Sequence, residues 1–174
     1  MQRLTLASLL LLAGCGAFDE FDVTISDSAS VPGNFQAMVF QPSYSGSFGS
    51  LDLSGEQTFK NNNVKPSDVD AIYVKSIRLE DSQPMLNNLA NIVESVSFTL
   101  EAPGQLPRQI GVGMAFPMGA SAELTVDPTY NIKDYATAAA MSIKAEVKLK
   151  KSPAFSFTIK STITLHVDIN LAGV

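Results

Sequence analysis

The chain has 174 residues, a formal net charge of −5, and 45% hydrophobic against 17% charged residues. That balance excludes wholesale disorder, and the negative sign argues against nucleic acid or anionic lipid headgroups as electrostatic partners. A single cysteine excludes an intrachain disulfide framework, so the fold must rest on its core.

Arg3 is the only charge before Asp19, and Leu4, Leu6, Ala7, Leu9, Leu10, Leu11, Leu12 and Ala13 form an apolar block behind it. The block is too short for the roughly 20 helical residues that span a bilayer. A positive start, a short apolar stretch and small residues before a cut site read as a secretory signal peptide. Leu12, Ala13, Gly14 and Cys15 resemble the bacterial lipobox of one aliphatic residue, two small residues and a cysteine. The resemblance implies that a thioether to diacylglycerol forms on Cys15, that cleavage falls before it, and that its new amino group is acylated. Two or three acyl chains, at about 0.8 kcal/mol per buried CH₂, hold far more firmly than one. It further implies the outer membrane of a Gram-negative cell, because Gly16 and not aspartate follows the cysteine.

The expected organisation is a signal peptide over 1–14, a lipidated cysteine and acidic, Ser-rich tether over 15–33, and one β-sandwich domain over 34–174. The mature length of about 160 residues suits a single domain. Within the tether a short strand is predicted over 21–25. Short strands over 35–40 and 48–53 fit between Ser-, Gly- and Asn-rich breaks, and Lys65-Pro66-Ser67-Asp68 marks a capped turn. An apolar strand starts at Ala71.

A helix is predicted over 84–93, with Leu86, Leu89 and Val93 on one side and Asp81 or Ser82 as its cap. Strict alternation follows over 94–101, where Val96, Phe98 and Leu100 share one face. A second helical turn or two is predicted over 131–136. The stretch 142–150 alternates Ile143, Ala145, Val147 and Leu149 with charged residues. The longest alternation runs from Phe155 to Leu171, with Ser161 alone breaking its apolar parity and marking a bend. The turn Lys151-Ser152-Pro153 joins the last two strands as a final hairpin.

One apolar and one polar face per strand is the pattern of antiparallel sheets in a two-layer sandwich, here with one or two short helices. The order from Ala71 onward resembles, by patterning and without a diagnostic motif, the immunoglobulin-like β-sandwich domains of bacterial lipoproteins, and more distantly the sandwich of late-embryogenesis-abundant type 2 proteins. That resemblance implies no active site.

The candidate constellations are weak. His166 is the only histidine, and parity sets it on the polar face between Thr164 and Asp168. A zinc or Ser-His-Asp site would need its other members from distant loops, so a surface position is expected. Asp68 and Asp70 invite calcium but lack a glycine turn and a closing acid. Gly111-Val112-Gly113 lacks the third glycine and the lysine of a phosphate loop and reads as a strand of small residues. Met85, Met114, Phe116, Met118 and Met141 suit either a core or a cavity for an acyl chain. Lys144, Lys148, Lys150, Lys151 and Lys160 gather on the final hairpin.

No catalytic residue, metal or cofactor is therefore expected. The expected function is a lipid-anchored, non-enzymatic envelope module for adhesion or for assembly with an envelope protein partner. The alternative is a carrier of a lipid or small apolar ligand in the sandwich core.

Overall fold

The structure, a computed structural model, describes residues 20–31, 64–81, 88–138, 141–150, 153 and 156–170. The leader, Cys15, and the strands expected over 35–40 and 48–53 lie outside the described residues. Among the described residues the architecture is an all-β sandwich of two antiparallel four-stranded sheets with two short helices.

The strands are β1 (Glu20–Val31), β2 (Val69–Asp81), β3 (Val93–Glu101), β4 (Arg108–Gly113), β5 (Ser121–Glu123), β6 (Thr125–Val126), β7 (Ser142–Leu149) and β8 (Phe157–Ile169); the helices are α1 (Leu89–Ile92) and α2 (Lys133–Ala136). One sheet has the order β1-β8-β2-β5 and the other β6-β4-β3-β7. Period-2 alternation builds the space between them. Ile163, Leu165 and Val167 of β8, Ile72, Val74 and Ile77 of β2, Phe98 and Leu100 of β3 and Ile143 of β7 are all buried. Each such side chain contributes roughly 1.5–3 kcal/mol on burial.

Four expectations are corrected. The tether hides a full strand: β1 pairs with β8 over its whole length, from Glu20 opposite Asp168 to Val31 opposite Phe157, so the sandwich begins at Glu20 and not at residue 34. Ser161 does not bend β8, which runs unbroken from Phe157 to Ile169. Its side chain is 2% exposed, with the hydroxyl 3.5 Å from the Asp27 carbonyl, so a polar atom lies within the apolar face without distorting it. Where β8 pairs with β2 the irregularities fall on β2 instead, and register shifts between Val69 and Ala71 and between Val74 and Ser76 leave Asp70 and Lys75 as extra residues.

The last two strands are not a hairpin. Strand β7 lies at an edge beside β3 in one sheet, and β8 lies between β1 and β2 in the other, so the two strands belong to different layers. Alternation reports which face a strand buries; it does not report its neighbour. Finally, α1 is capped by Asn88, whose side chain accepts from the Ala90 amide at 2.9 Å, and not by Asp81, which ends β2. Val93, expected in that helix, opens β3.

Two features close the sandwich near the start of β2. The Asn131 side-chain oxygen accepts from the Ile72 amide at 3.1 Å and the Lys133 amide at 2.9 Å, which ties α2 to β2. Beneath α2, the Tyr135 hydroxyl donates to the Leu106 carbonyl at 2.6 Å.

Candidate functional site

The residues predicted for lipidation and cleavage, Cys15 with Leu12, Ala13 and Gly14, lie outside the described residues. The described domain starts close behind them, and its first strand builds the one polar constellation centred on the sole histidine.

Side chains two residues apart on a strand share a face, and directly opposed residues on paired strands lie close enough to interact. On β1, Glu20 and Asp22 form such a pair; on β8, His166 and Asp168 form another. The register sets Asp22 opposite His166 and Glu20 opposite Asp168. On the other flank of β8, Tyr73 of β2 is opposite His166. The irregularity after Val74 carries Lys75 out of the regular alternation, and its ammonium donates to Asp22 Oδ2. Re-aiming one side chain is a common consequence of a bulge.

At the centre, His166 Nδ1 is 2.9 Å from Asp22 Oδ1, while Nε2 is 3.3 Å from Glu20 Oε2 and 3.2 Å from Asp168 Oδ1. The imidazole is 29% exposed and the Glu20 side chain 70%, so the group opens to water on one side. The hydrogen bond with Asp22 raises the His166 pKa, opposed by desolvation and aided by the nearby charges of Asp168 and Glu20. The Asp22 carboxyl is held below its usual range, first by the bond from Lys75 and then by His166. A shallow cavity of about 250 Å³ adjoins the ring, lined by Tyr73, Lys75, Pro128 and His166.

Two of the partners of His166, Glu20 and Asp22, thus come from β1, with Asp22 144 residues away in sequence, and Asp168 from its own strand; none comes from a loop. Sequence reading missed Glu20 and Asp22 because it treated their segment as tether. A signal was present: the alternation Phe21, Val23, Ile25 continues to Ala29 and Val31, interrupted only at Asp27.

The other candidates sort plainly. Asp68 caps its own turn, its carboxylate accepting from the Lys65 amide at 2.9 Å and the Ser67 hydroxyl at 3.1 Å, and the first of these lowers its pKa. Gly111 and Gly113 lie in β4 where side chains crowd them; a Cβ on Gly111 would lie 2.5 Å from Ile77 Cδ1. Met141 and Phe116 are buried, whereas Met114 and Met118 are 75% and 76% exposed, so the methionines do not converge on one cavity; Met85 lies outside the described residues. The described lysines divide between the sheets: Lys144 pairs with Glu101 at 2.6 Å, Lys150 donates to the Ala90 carbonyl at 2.7 Å, and Lys160 is 4.0 Å from Glu80, while Lys151 lies outside the described residues.

No protein-family model matches the sequence, and no curated protein does. Among solved structures, the chain is similar to one from turnip yellow mosaic virus at 10% identity, covering 98% of this chain and 92% of that one with a TM-score of 0.28. It is also similar to one from Desmodium yellow mottle tymovirus at 12% identity, covering 100% and 95% with a TM-score of 0.26. At those scores neither likeness bears on fold or function.

Proposed function

We propose that this chain is a cell-envelope lipoprotein, anchored through acyl chains on Cys15, that presents a non-enzymatic β-sandwich for assembly with an envelope partner close to the membrane. The observation that carries this reading is the closeness of the two features: Leu12-Ala13-Gly14-Cys15 is followed by β1 at Glu20, five residues beyond the cysteine. Five fully extended residues reach at most about 18 Å. A lipid on Cys15 would therefore hold the β1 end of the sandwich, with Glu20 and Asp168, at the bilayer surface. A tether this short favours partners in the layer next to the membrane over adhesion to distant surfaces. The absence of strong positive charge fits a domain held by acyl chains and not by attraction to headgroups.

Metabolic labelling with palmitate, followed by crosslinking on intact membranes, tests both halves of the reading. The chain should take up label in a Cys15-dependent way, and crosslinking should return the same envelope protein in repeated preparations. Labelled protein that never captures a neighbour would refute the assembly role, and label that survives Cys15→Ser would refute the anchor.

A further inference from the structure

The ring nitrogens of His166 face more acceptors than an uncharged imidazole can satisfy. A neutral ring has one N–H donor and one lone-pair acceptor, and carboxylates only accept. The 2.9 Å contact between Nδ1 and Asp22 Oδ1 puts the hydrogen on Nδ1. The lone pair on Nε2 then points at Glu20 Oε2 and Asp168 Oδ1, both acceptors, at 3.3 and 3.2 Å. Such an arrangement is favourable only with a cation between Nε2 and the two carboxylates, and that cation is either a proton or a metal ion.

We propose that Glu20, His166 and Asp168 form a binding site for a divalent transition-metal ion of the zinc class. Three features favour a metal over a proton alone. First, tetrahedral zinc with bonds of about 2.0–2.1 Å to nitrogen and about 2.0–2.2 Å to oxygen has N···O edges of about 3.3–3.5 Å, and both observed edges lie at or near this range. All three ligand atoms lie within 4.8 Å of one another. A proton on Nε2 lies along one line, whereas a metal ion takes all three ligands together. Second, a ligating histidine characteristically donates its other ring N–H to a carboxylate that fixes the tautomer and the ring plane, and Asp22, itself held by Lys75, is placed to do this. Third, the exposed side of Glu20 leaves a further coordination position for water. Imidazole with two carboxylates suits zinc, nickel or copper, whereas calcium and magnesium favour sites built wholly from oxygen. The ion would clip β1 to β8 at the end where the domain begins, and this inference does not rest on the lipid anchor.

The test is a Zn²⁺ titration of the full chain carrying Cys15→Ser, which removes the only thiol, followed by calorimetry and by ¹⁵N chemical shifts of the sole imidazole. The expected result is one ion per chain, a dissociation constant below about 100 µM, a large shift of Nε2, and a higher unfolding midpoint with metal. Glu20→Gln, Asp168→Asn and Asp22→Asn should each weaken binding by about tenfold or more, Asp22→Asn without removing a ligand. An Nε2 resonance unmoved by about 1 mM Zn²⁺, or binding that is undiminished in His166→Gln, would show that the cluster is an ion pair holding a proton only. Because the imidazole shift is read on the wild-type site, the result stands even if one variant fails to fold.

Discussion

Phe157 and Thr158 are neighbours on β8 that face opposite ways, and they test the parity of the fold one residue at a time. Phe157 is 2% exposed between the sheets, whereas Thr158 lies on the outer face. Truncation of a packed Phe costs about 3–5 kcal/mol, so Phe157→Ala should lower the unfolding midpoint sharply while Thr158→Ala changes it little. Equal losses in chemical denaturation would contradict the assignment of faces. His166 adds a pH dependence. It is faced by Glu20 and Asp22 from β1, Asp168 on its own strand, and Lys75 and Tyr73 from β2. Its pKa is raised above the ordinary 6.5, so its contribution is complete below that value and is lost as pH rises through the folded-state pKa. That of Asp22, lowered from 3.8, is complete above 3.8 and is lost as pH falls through its folded-state pKa. With chelator present, stability should therefore decline by about 0.2–1 kcal/mol from about pH 6 to about pH 8, and His166→Gln should flatten that decline. A wild-type profile already flat over this range would contradict the cluster. The position of His166 on the polar face was legible from parity alone. Its partners Glu20 and Asp22 were not, because they depend on which strand lies beside β8.

Strands show the same division between what local pattern encodes and what only pairing reveals. Alternation located β3, β7 and β8 within a few residues, since each buries one face. It did not show that β7 and β8 belong to different sheets. It also underrated β1, whose apolar face is broken at Asp27, and misread Ser161 as a bend in β8. In the folded chain these two interruptions are opposite each other in register, and the Ser161 hydroxyl approaches the Asp27 carbonyl. The two polar breaks thus share one place in the sheet, which no single strand could disclose. The glycines of β4 carry a related constraint on how the sheets approach. Gly111 leaves room for Ile77, which is fully buried, so Gly111→Ala forces Ile77 Cδ1 to move and should cost about 1–3 kcal/mol. Gly119, with nothing within 4 Å of an added Cβ, is the control and should tolerate alanine. A thermal melt in which Gly111→Ala matches Gly119→Ala would mean that the sheets are less tightly apposed at β4.

In the whole molecule, the lipid anchor proposed at Cys15 would stand five residues before the first described strand of the sandwich. The proposed address rests on a contiguous signal, Leu12-Ala13-Gly14-Cys15, which sets a thiol at one position and small residues just before it. The domain boundary was not legible in the sequence, because Glu20 and Asp22 look like tether until β8 is set beside them. The most direct measurement is the mass of the N-terminal peptide of the protein recovered from membranes. The account predicts a peptide beginning at Cys15 that carries a diacylglyceryl thioether and an acylated amino group. A chain that retains residues upstream of Cys15, or one that begins elsewhere with no lipid on the cysteine, would contradict it.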